Sequence, residues 1–360
     1  MSSSSITVPP AGGDKIGVAV LGATGAVGQR FIQLLEGHPW FAVRELVASD
    51  RSVGKCYAEA ANWLVSPDIP SAVAGLPVKG VDARLESPVV VSSLPSDVAG
   101  EVESRLAKEG HRIFSNASNH RMGADVPLMV TEVNPDHAEA LHVQRKRLGS
   151  EGFIVTNGNC TTITLVLPLA PLHHAFGVEA VMVTSLQAAS GAGYPGVPSL
   201  DLIDNVVPYI GGEEEKLQAE TAKMLGAWKG GNFHPLSIPI SATCTRVPVR
   251  DGHTESVSVR LSTKASADEM IDAWRSFKGR PQELNLPSAP KHAVIVREEQ
   301  DRPQPNRDRM AENGMASVVG RLRPCPILDW KFVVLGHNTI RGAAGASILN
   351  AELALAEGWL

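Results

Sequence analysis

A chain of 360 residues exceeds what one hydrophobic core usually fills, so two domains are expected. With 43% hydrophobic and 20% charged residues and a net charge of −5, it has the make-up of a globular enzyme and lacks the polycation that nucleic acid or an anionic membrane would need. Cys56, Cys160, Cys244 and Cys325 stand far apart, with no CxxC pair and no histidine at metal-ligand spacing, which points to reduced thiols in a cytoplasmic protein without a metal.

Residues 1–14, rich in Ser, Pro and Gly, are expected to be a flexible tail rather than a targeting segment. A short apolar strand at 16–21 leads into the turn Gly22-Ala23-Thr24-Gly25-Ala26-Val27-Gly28 and a helix over 26–36. Glycines between a strand and a helix let backbone N–H groups approach a pyrophosphate, so this turn is a candidate dinucleotide site. The spacing GxxGxxG is weaker than GxGxxG, and its strand–turn–helix setting carries the reading against a simple tight turn. A strand at 43–48 then opens on Ser49, Asp50, Arg51, Ser52 and Lys55. Asp50 would suit the ribose 2′-hydroxyl of NAD, whereas Ser49, Arg51, Ser52 and Lys55 offer donors to the 2′-phosphate of NADP, the favoured cofactor.

Apolar strands at 89–93, 113–115 and 128–133, with a helix near 98–108, complete an alternation that predicts a parallel, Rossmann-like sheet. Thr156-Asn157-Gly158-Asn159-Cys160 then closes a strand and opens a buried helix that includes 163–172, too short for the ~18 residues of a membrane span. A thiol in the first helical turn meets unpaired N–H groups and the positive end of the dipole, which favour the thiolate. The other three cysteines read as structural. Beyond residue 153, strands at 181–187, 243–249, 255–261, 293–297, 317–322 and 330–335 outnumber helices near 200–206, 213–225 and 267–277. This texture predicts an α+β domain with a mixed or antiparallel sheet. A Pro- and charge-rich loop over 297–313 and a helical stretch over 341–360 end the chain.

Six segments in order, LGATGAVG, NGNCTT, SLQAASGAGYPG, GEEEKLQAET, CTRVPVRDGHTESV and HNTIRGAAGASILNAELA, run from residue 21 to 354. On these the chain resembles the aspartate-semialdehyde dehydrogenase family, particularly its fungal and archaeal branch. The resemblance implies an NADP(H)-binding domain over 15–156 completed by a C-terminal helix at 339–360, and a catalytic and dimerisation domain over 157–338. It implies reduction of L-4-aspartyl phosphate to L-aspartate 4-semialdehyde by NADPH, through a thioester on Cys160, in the synthesis of threonine, methionine and related amino acids. It further implies a homodimer or homotetramer.

Residue by residue, the resemblance makes Cys160 the nucleophile, His253 the acid/base and Gln187 the group that orients substrate near the thiol. An imidazole near neutral pKa suits proton exchange with a thiol, and the Arg246 guanidinium can grip the substrate carboxylate in a bidentate manner. Glu213 matches the ammonium ligand, although the run Glu213-Glu214-Glu215 leaves the register open by one. Without the resemblance, Glu213 and Lys216 would read as an exposed ion pair; with it, Lys216 and Arg121 are phosphate ligands, and Asn116 lies by cofactor and thiol. Ser93, Ser190, Gly191, Gly193 and Asn338 join Gly22, Thr24, Gly25, Ala26, Val27, Ser49, Arg51 and Ser52 as cofactor contacts. Backbone N–H groups where the Cys160 helix starts are expected to form an oxyanion hole.

Three rivals stand beside this reading. A malonyl-CoA reductase would share the cysteine, His253 and NADPH but need no ammonium ligand, and an N-acetyl-glutamyl-phosphate reductase would use the same scaffold. A nucleotide-sensing protein without catalysis would not need Cys160, His253 and Arg246 together.

Overall fold

The computed structural model describes residues 6–10 and 12–360; residues 1–5 and 11 of the expected tail lie outside the described residues. Within the described part of that tail Ile6 is docked: its N–H donates to the Leu360 carbonyl at 3.3 Å, and its side chain packs on the core below the first sheet.

Six parallel strands make the first sheet: β1 (Ile16–Leu21), β2 (Phe41–Val47), β3 (Val78–Lys79), β4 (Val89–Ser92), β5 (Arg112–Ser115) and β6 (Phe153–Thr156). Their spatial order is β3-β2-β1-β4-β5-β6, so the chain reverses direction across the sheet between β1 and β4. Such a switch point leaves a crevice outside the carboxyl ends of the strands, the usual berth of a nucleotide. β4 shows why the sheet is covered twice. Val89 and Val91 enter one apolar core, beneath the helices Ala26–Leu35 and Gly345–Ala356, while Val90 enters another, beneath the helix Ser96–Lys108. At the first turn a Cβ on Gly28 would lie 2.1 Å from the Gly22 carbonyl oxygen, so the helix can rest on the turn only as glycine.

The second sheet is mixed. β7 (Val178–Gln187), β10 (Ile240–Arg246), β11 (His253–Leu261), β12 (Val294–Arg297), β13 (Ser317–Pro324) and β14 (Trp330–Gly336) lie in the order β10-β7-β11-β14-β13-β12; β8 (Ala227–Lys229) and β9 (Asn232–His234) form a separate hairpin. One face packs on the apolar helix Cys160–Phe176 and on Glu213–Met224 and Ala267–Ser276. The other face alternates outward and keeps Met182 and Leu186 exposed.

The chain then returns to its first half. Arg341, in a wide turn Ile340–Ala344, forms a buried two-pronged ion pair with Glu132 (2.8 and 2.5 Å). Asn157 donates to Asn116 Oδ1, the Ala343 carbonyl and Ser347 Oγ, and accepts from Asn350.

Three expected elements differ. Residues 128–133 form no strand: Leu128 makes a single bridge to Thr156, and the Asn134 side chain bonds the Val130 N–H and the Leu128 carbonyl instead of a ladder. The helix expected over 200–206 is one turn, Ser199–Leu202, because its apolar residues Leu200, Ile203 and Val206 have nothing to pack on. The strand expected over 243–249 is Ile240–Arg246, since Pro248 cannot extend a ladder. The loop over 297–313 includes the helical turn Pro305–Asp308, whose Asp308 binds both Arg297 and Arg302, and runs into the 3-10 turn Ala311–Gly314.

Candidate active site

Cys160 opens the helix Cys160–Phe176 behind the cap Asn159, whose Oδ1 accepts the Thr161 and Thr162 N–H groups at 2.9 and 3.4 Å. The three strands facing it deliver their side chains in a single row. Arg246 of β10 pairs with Gln187 of β7, and the next strand places His253 beside Gln187, since its neighbour Thr254 pairs with Leu186. Side chains of one row point to one face, so Arg246, Gln187 and His253 all meet the start of the Cys160 helix.

His253 Nε2 lies 3.1 Å from Cys160 Sγ, and the Ala188 N–H donates to His253 Nδ1 at 3.0 Å. A neutral ring that accepts at Nδ1 carries its proton on Nε2, aimed at the sulfur. Burial, with Arg246 and His337 nearby, holds His253 down to about 3. Burial and the Glu213 carboxylate push the Cys160 thiol up to about 12, while Arg121, Arg246 and the Thr161 N–H pull it back. The ligand-free pair therefore rests as thiol and neutral imidazole, and the thiolate expected from the helix position is not the resting form: desolvation of the buried sulfur outweighs the dipole.

Arg246 is buried; its Nη1 donates to the Ala188 carbonyl at 2.8 Å, with the guanidinium beside the thiol. Gly191 presses on the same groups: a Cβ there would lie 2.7 Å from Arg246 Nη1 and 3.2 Å from His253 Nε2. Glu213 is the acid that faces the site, with Oε1 3.2 Å from Lys216 Nζ and Oε2 accepting from Asn159 Nδ2 (2.8 Å) and Gln187 Nε2 (3.4 Å). Glu214 instead accepts the Cys244 N–H at the sheet edge. Lys216 remains part exposed at the mouth while paired with Glu213. Arg121 Nη2 donates to the Asn116 carbonyl at 2.7 Å, Nη1 pairs with Glu220 at 2.9 Å, and its buried Nε has no partner among the described residues.

Asn116, Arg121, Cys160, Gln187, Glu213, Lys216, Arg246 and His253 thus gather in one cluster. Sequence reasoning missed two members. Glu220 also accepts the Asn159 N–H at 2.6 Å, and Lys223 donates to the carbonyls of Arg121, Gly123 and Val126. Their spacing from Glu213 and Lys216 by seven residues, two helical turns, was the available signal. The oxyanion-hole expectation narrows accordingly. Glu220 takes the Asn159 N–H and the cap takes those of Thr161 and Thr162, which leaves the Cys160 N–H as the first-turn donor not engaged.

The nucleotide end lies apart from this cluster. Gly22, Thr24, Gly25, Ala26 and Val27 form the turn after β1, and the helix they open has neither a side-chain cap nor an acid in its first turn, which leaves N–H groups for an anion. Ser93 Oγ donates to the Leu21 carbonyl at the adjoining strand end. Ser49, Arg51 and Ser52 follow β2, with Arg51 exposed and Ser52 buried. β2 and β6, which precede the basic loop and the thiol, are four strand spacings apart, roughly 19 Å. A cleft lined by Ala26, Arg30, Ser190, Gly193, Arg250 and Thr339 runs between the turn after β1 and the 189–197 loop. Asn338 braces its wall, donating to Ser190 Oγ at 2.8 Å and accepting the Gly252 N–H at 2.9 Å.

Residues 17–141 match the family model described as semialdehyde dehydrogenase, NAD binding domain, and 169–341 the one described as semialdehyde dehydrogenase, dimerisation domain. The chain is 52% identical to the aspartate-semialdehyde dehydrogenase of Archaeoglobus fulgidus, covering 94% of this chain and 98% of that one. It is 48% identical to that of Cryptococcus neoformans, covering 96% and 98%. Among solved structures, it superposes with a TM-score of 0.89 and 42% identity on an aspartate semialdehyde dehydrogenase with NADP from Candida albicans, covering 96% of this chain and all of that one. Aspartate semialdehyde dehydrogenase II complexed with ASA from Vibrio cholerae gives a TM-score of 0.76 at 26% identity, covering 96% and 99%.

Proposed function

The chain belongs to the aspartate-semialdehyde dehydrogenase family, and from that premise we propose which of its own residues carry the reaction. The activity is the NADPH-dependent reductive dephosphorylation of L-4-aspartyl phosphate to L-aspartate 4-semialdehyde, a step of amino-acid biosynthesis. The observation that carries the assignment of roles is the 3.1 Å approach of Cys160 Sγ to His253 Nε2, with Arg246 and Glu213 on either side.

Arg246 takes the α-carboxylate and Glu213 the α-ammonium, opposite charges for the two groups on one carbon. Gln187, between Arg246 and His253 in the row, orients the substrate. Arg121 through its unpartnered Nε and Lys216 at the mouth hold the phosphate. Cys160 Sγ attacks the acyl carbon, the C–S bond forms as the bond to the phosphate oxygen breaks, and the thiol proton leaves with the phosphate. The Cys160 N–H, with Asn116 nearby, faces the oxygen that gathers charge. When bound, NADPH supplies the hydride that reduces the thioester. His253 offers its Nε2–H to the sulfur as the aldehyde leaves, which stabilises the returning thiolate.

The uncapped turn 22–28 and the open cleft to Ser190 and Gly193 suit the dinucleotide, Ser49, Arg51 and Ser52 its 2′-phosphate, and Ser93, Gly191 and Asn338 the walls beside its reactive ring. The domain division follows the same lines: 15–156 with 339–360 for the cofactor, 157–338 for catalysis and pairing. The chain carries a dimerisation domain, and the exposed Met182, Leu186, Leu200, Ile203, Val206 and Tyr209 support pairing through the open face of the second sheet into a homodimer or a homotetramer. No helix among the described residues is long and apolar enough to cross a membrane, and four unpaired thiols suit the cytoplasm.

The test is NADPH formation from aspartate semialdehyde and NADP, with and without inorganic phosphate. Turnover that strictly requires phosphate in the wild type and is abolished in Cys160→Ser is expected. Phosphate-independent turnover, or turnover that survives Cys160→Ser, overturns the reading, and brisk reduction of malonyl-CoA would turn it to the acyl-CoA rival.

A further inference from the structure

The helix Glu213–Met224 presents two charged pairs on one stripe. Glu213 with Lys216 belongs to the site already described. Seven residues on, Glu220 and Lys223 are more deeply buried, at 2% and 3% exposure against 9% for Glu213, and touch no position assigned to substrate or cofactor except through Arg121. Burying an acid and a base this far is costly unless each is fully engaged. Both are, and the engagement has a pattern.

Glu220 bridges two segments that come together only in the folded chain. Oε1 holds Arg121 Nη1 at 2.9 Å, and Oε2 holds the Asn159 N–H at 2.6 Å. Asn159 is the cap that fixes the helix on which Cys160 stands. Arg121 is held a second time through Nη2 on the Asn116 carbonyl, so the guanidinium is clamped at two corners, and its buried Nε is left without a partner among the described residues. Lys223 ties down the loop that carries Arg121, with Nζ at 2.7 Å from the Arg121 carbonyl and 3.0 Å from those of Gly123 and Val126. A single carboxylate therefore sets both the position of the arginine and that of the nucleophile turn.

We propose that Glu220 is a positioning residue for the phosphate half of the reaction, a clamp that fixes the Arg121 guanidinium relative to Cys160. The proposal rests on Arg121 being a phosphate ligand. It assigns to Glu220 a role that Glu213 does not have: Glu213 meets the substrate ammonium, whereas Glu220 acts only through Arg121 and Asn159. Its loss should then weaken the handling of phosphate without equal loss of the aldehyde, because the row Arg246–Gln187–His253 is built on other strands.

The experiment follows the full-length enzyme in the phosphorylating direction, with inorganic phosphate and aspartate semialdehyde each varied, for wild type, Glu220→Gln, Glu220→Asp and Arg121→Ala. Glu220→Gln keeps the shape but turns an N–H toward one of the two donors, and should raise the KM for phosphate about tenfold, as loss of one charge-assisted bond does. The KM for aspartate semialdehyde should move less than about twofold. Glu220→Asp keeps the charge but is too short to span both partners, so it should show the same selective rise; it also serves as the test if Glu220→Gln does not fold. Equal rises in both KM values, no rise, or a wild-type Glu220→Asp would overturn the clamp. If Arg121→Ala raises the KM for phosphate while Glu220→Gln leaves it alone, the clamp falls and the phosphate role of Arg121 stands. If Arg121→Ala has no effect, the role of Arg121 falls and takes the clamp with it.

Discussion

In the parallel sheet the strands are mostly apolar filler, and the candidate dinucleotide contacts of that domain lie on the turns past the carboxyl ends of β1, β2 and β4. In the mixed sheet the strands themselves bear the reacting groups, with Arg246, Gln187 and His253 abreast in one buried row. The first arrangement binds through backbone N–H groups and tolerates a range of side chains. The second depends on register, since a slip of one residue would turn the whole row to the opposite face. A long cofactor and a small, doubly charged substrate call for these two different solutions: reach in one case, fixed geometry in the other.

The contrast can be broken most severely in the row. Arg246→Lys keeps the charge but loses the planar fork, and should lower kcat/KM roughly 1,000-fold, about 4 kcal/mol, with the melting temperature little changed. A value within tenfold of wild type would mean that charge alone, not geometry, serves the substrate carboxylate.

Next come two glycines that separate the halves by what must yield. In Gly28→Ala the new methyl meets the Gly22 carbonyl, which is backbone and has nowhere to go, so urea unfolding should show about 3 kcal/mol of lost stability. In Gly191→Ala the obstacle is the end of the Arg246 side chain, which can move. Stability should hold within about 0.5 kcal/mol while kcat/KM falls on the order of tenfold. Equal losses of stability would erase the distinction.

Arg51→Ala probes the turn-borne half. It should weaken NADP binding by about 1.5–3 kcal/mol and leave NAD nearly untouched, measured by fluorescence titration with each cofactor. An equal effect on both would shift the selective role to Asp50.

The smallest effect concerns the resting thiol. With Cys160 raised to about 12 by burial and Glu213, and His253 held to about 3, alkylation of Cys160 by iodoacetamide should climb about tenfold per pH unit from pH 6 to 9 without a plateau. Removing the Glu213 charge lowers the thiol pKa, so Glu213→Gln should alkylate severalfold faster at a given pH. A plateau beginning near pH 6, read by peptide mapping, would reveal an imidazolium–thiolate pair instead.

Much of this was legible in the sequence for physical reasons that differ by region. The turn 22–28 and the cap at Cys160 are local, so their residues are contiguous and carry their own geometry. The row Arg246–Gln187–His253 is not local, and only the family resemblance joined it. The 128–133 segment misled because apolar composition cannot reveal that the Asn134 side chain would satisfy the backbone. Residues 200–206 misled because a helix pattern without a surface to pack on makes only one turn. The thiolate expectation came from the helix start; the desolvation of the thiol and the nearby Glu213 carboxylate are tertiary facts. Glu220 and Lys223 were missed because nothing local marks them as buried; folding alone does that.

The closing helix has a consequence for how the protein comes into being. Ala344, Ile348, Ala351, Ala354 and Leu355 fill the same core as β1 and β4, and Asn350 holds the Asn157 side chain beside the nucleophile turn. Residues 1–156 by themselves leave part of that face of the sheet bare, beside the portion that the helix Ala26–Leu35 covers. The nucleotide-binding unit therefore cannot finish folding until residues 344–355 have been synthesised, and in the interval it exposes apolar surface that a chaperone would have to shield. Damage to the closing helix would loosen the N-terminal half of the chain first.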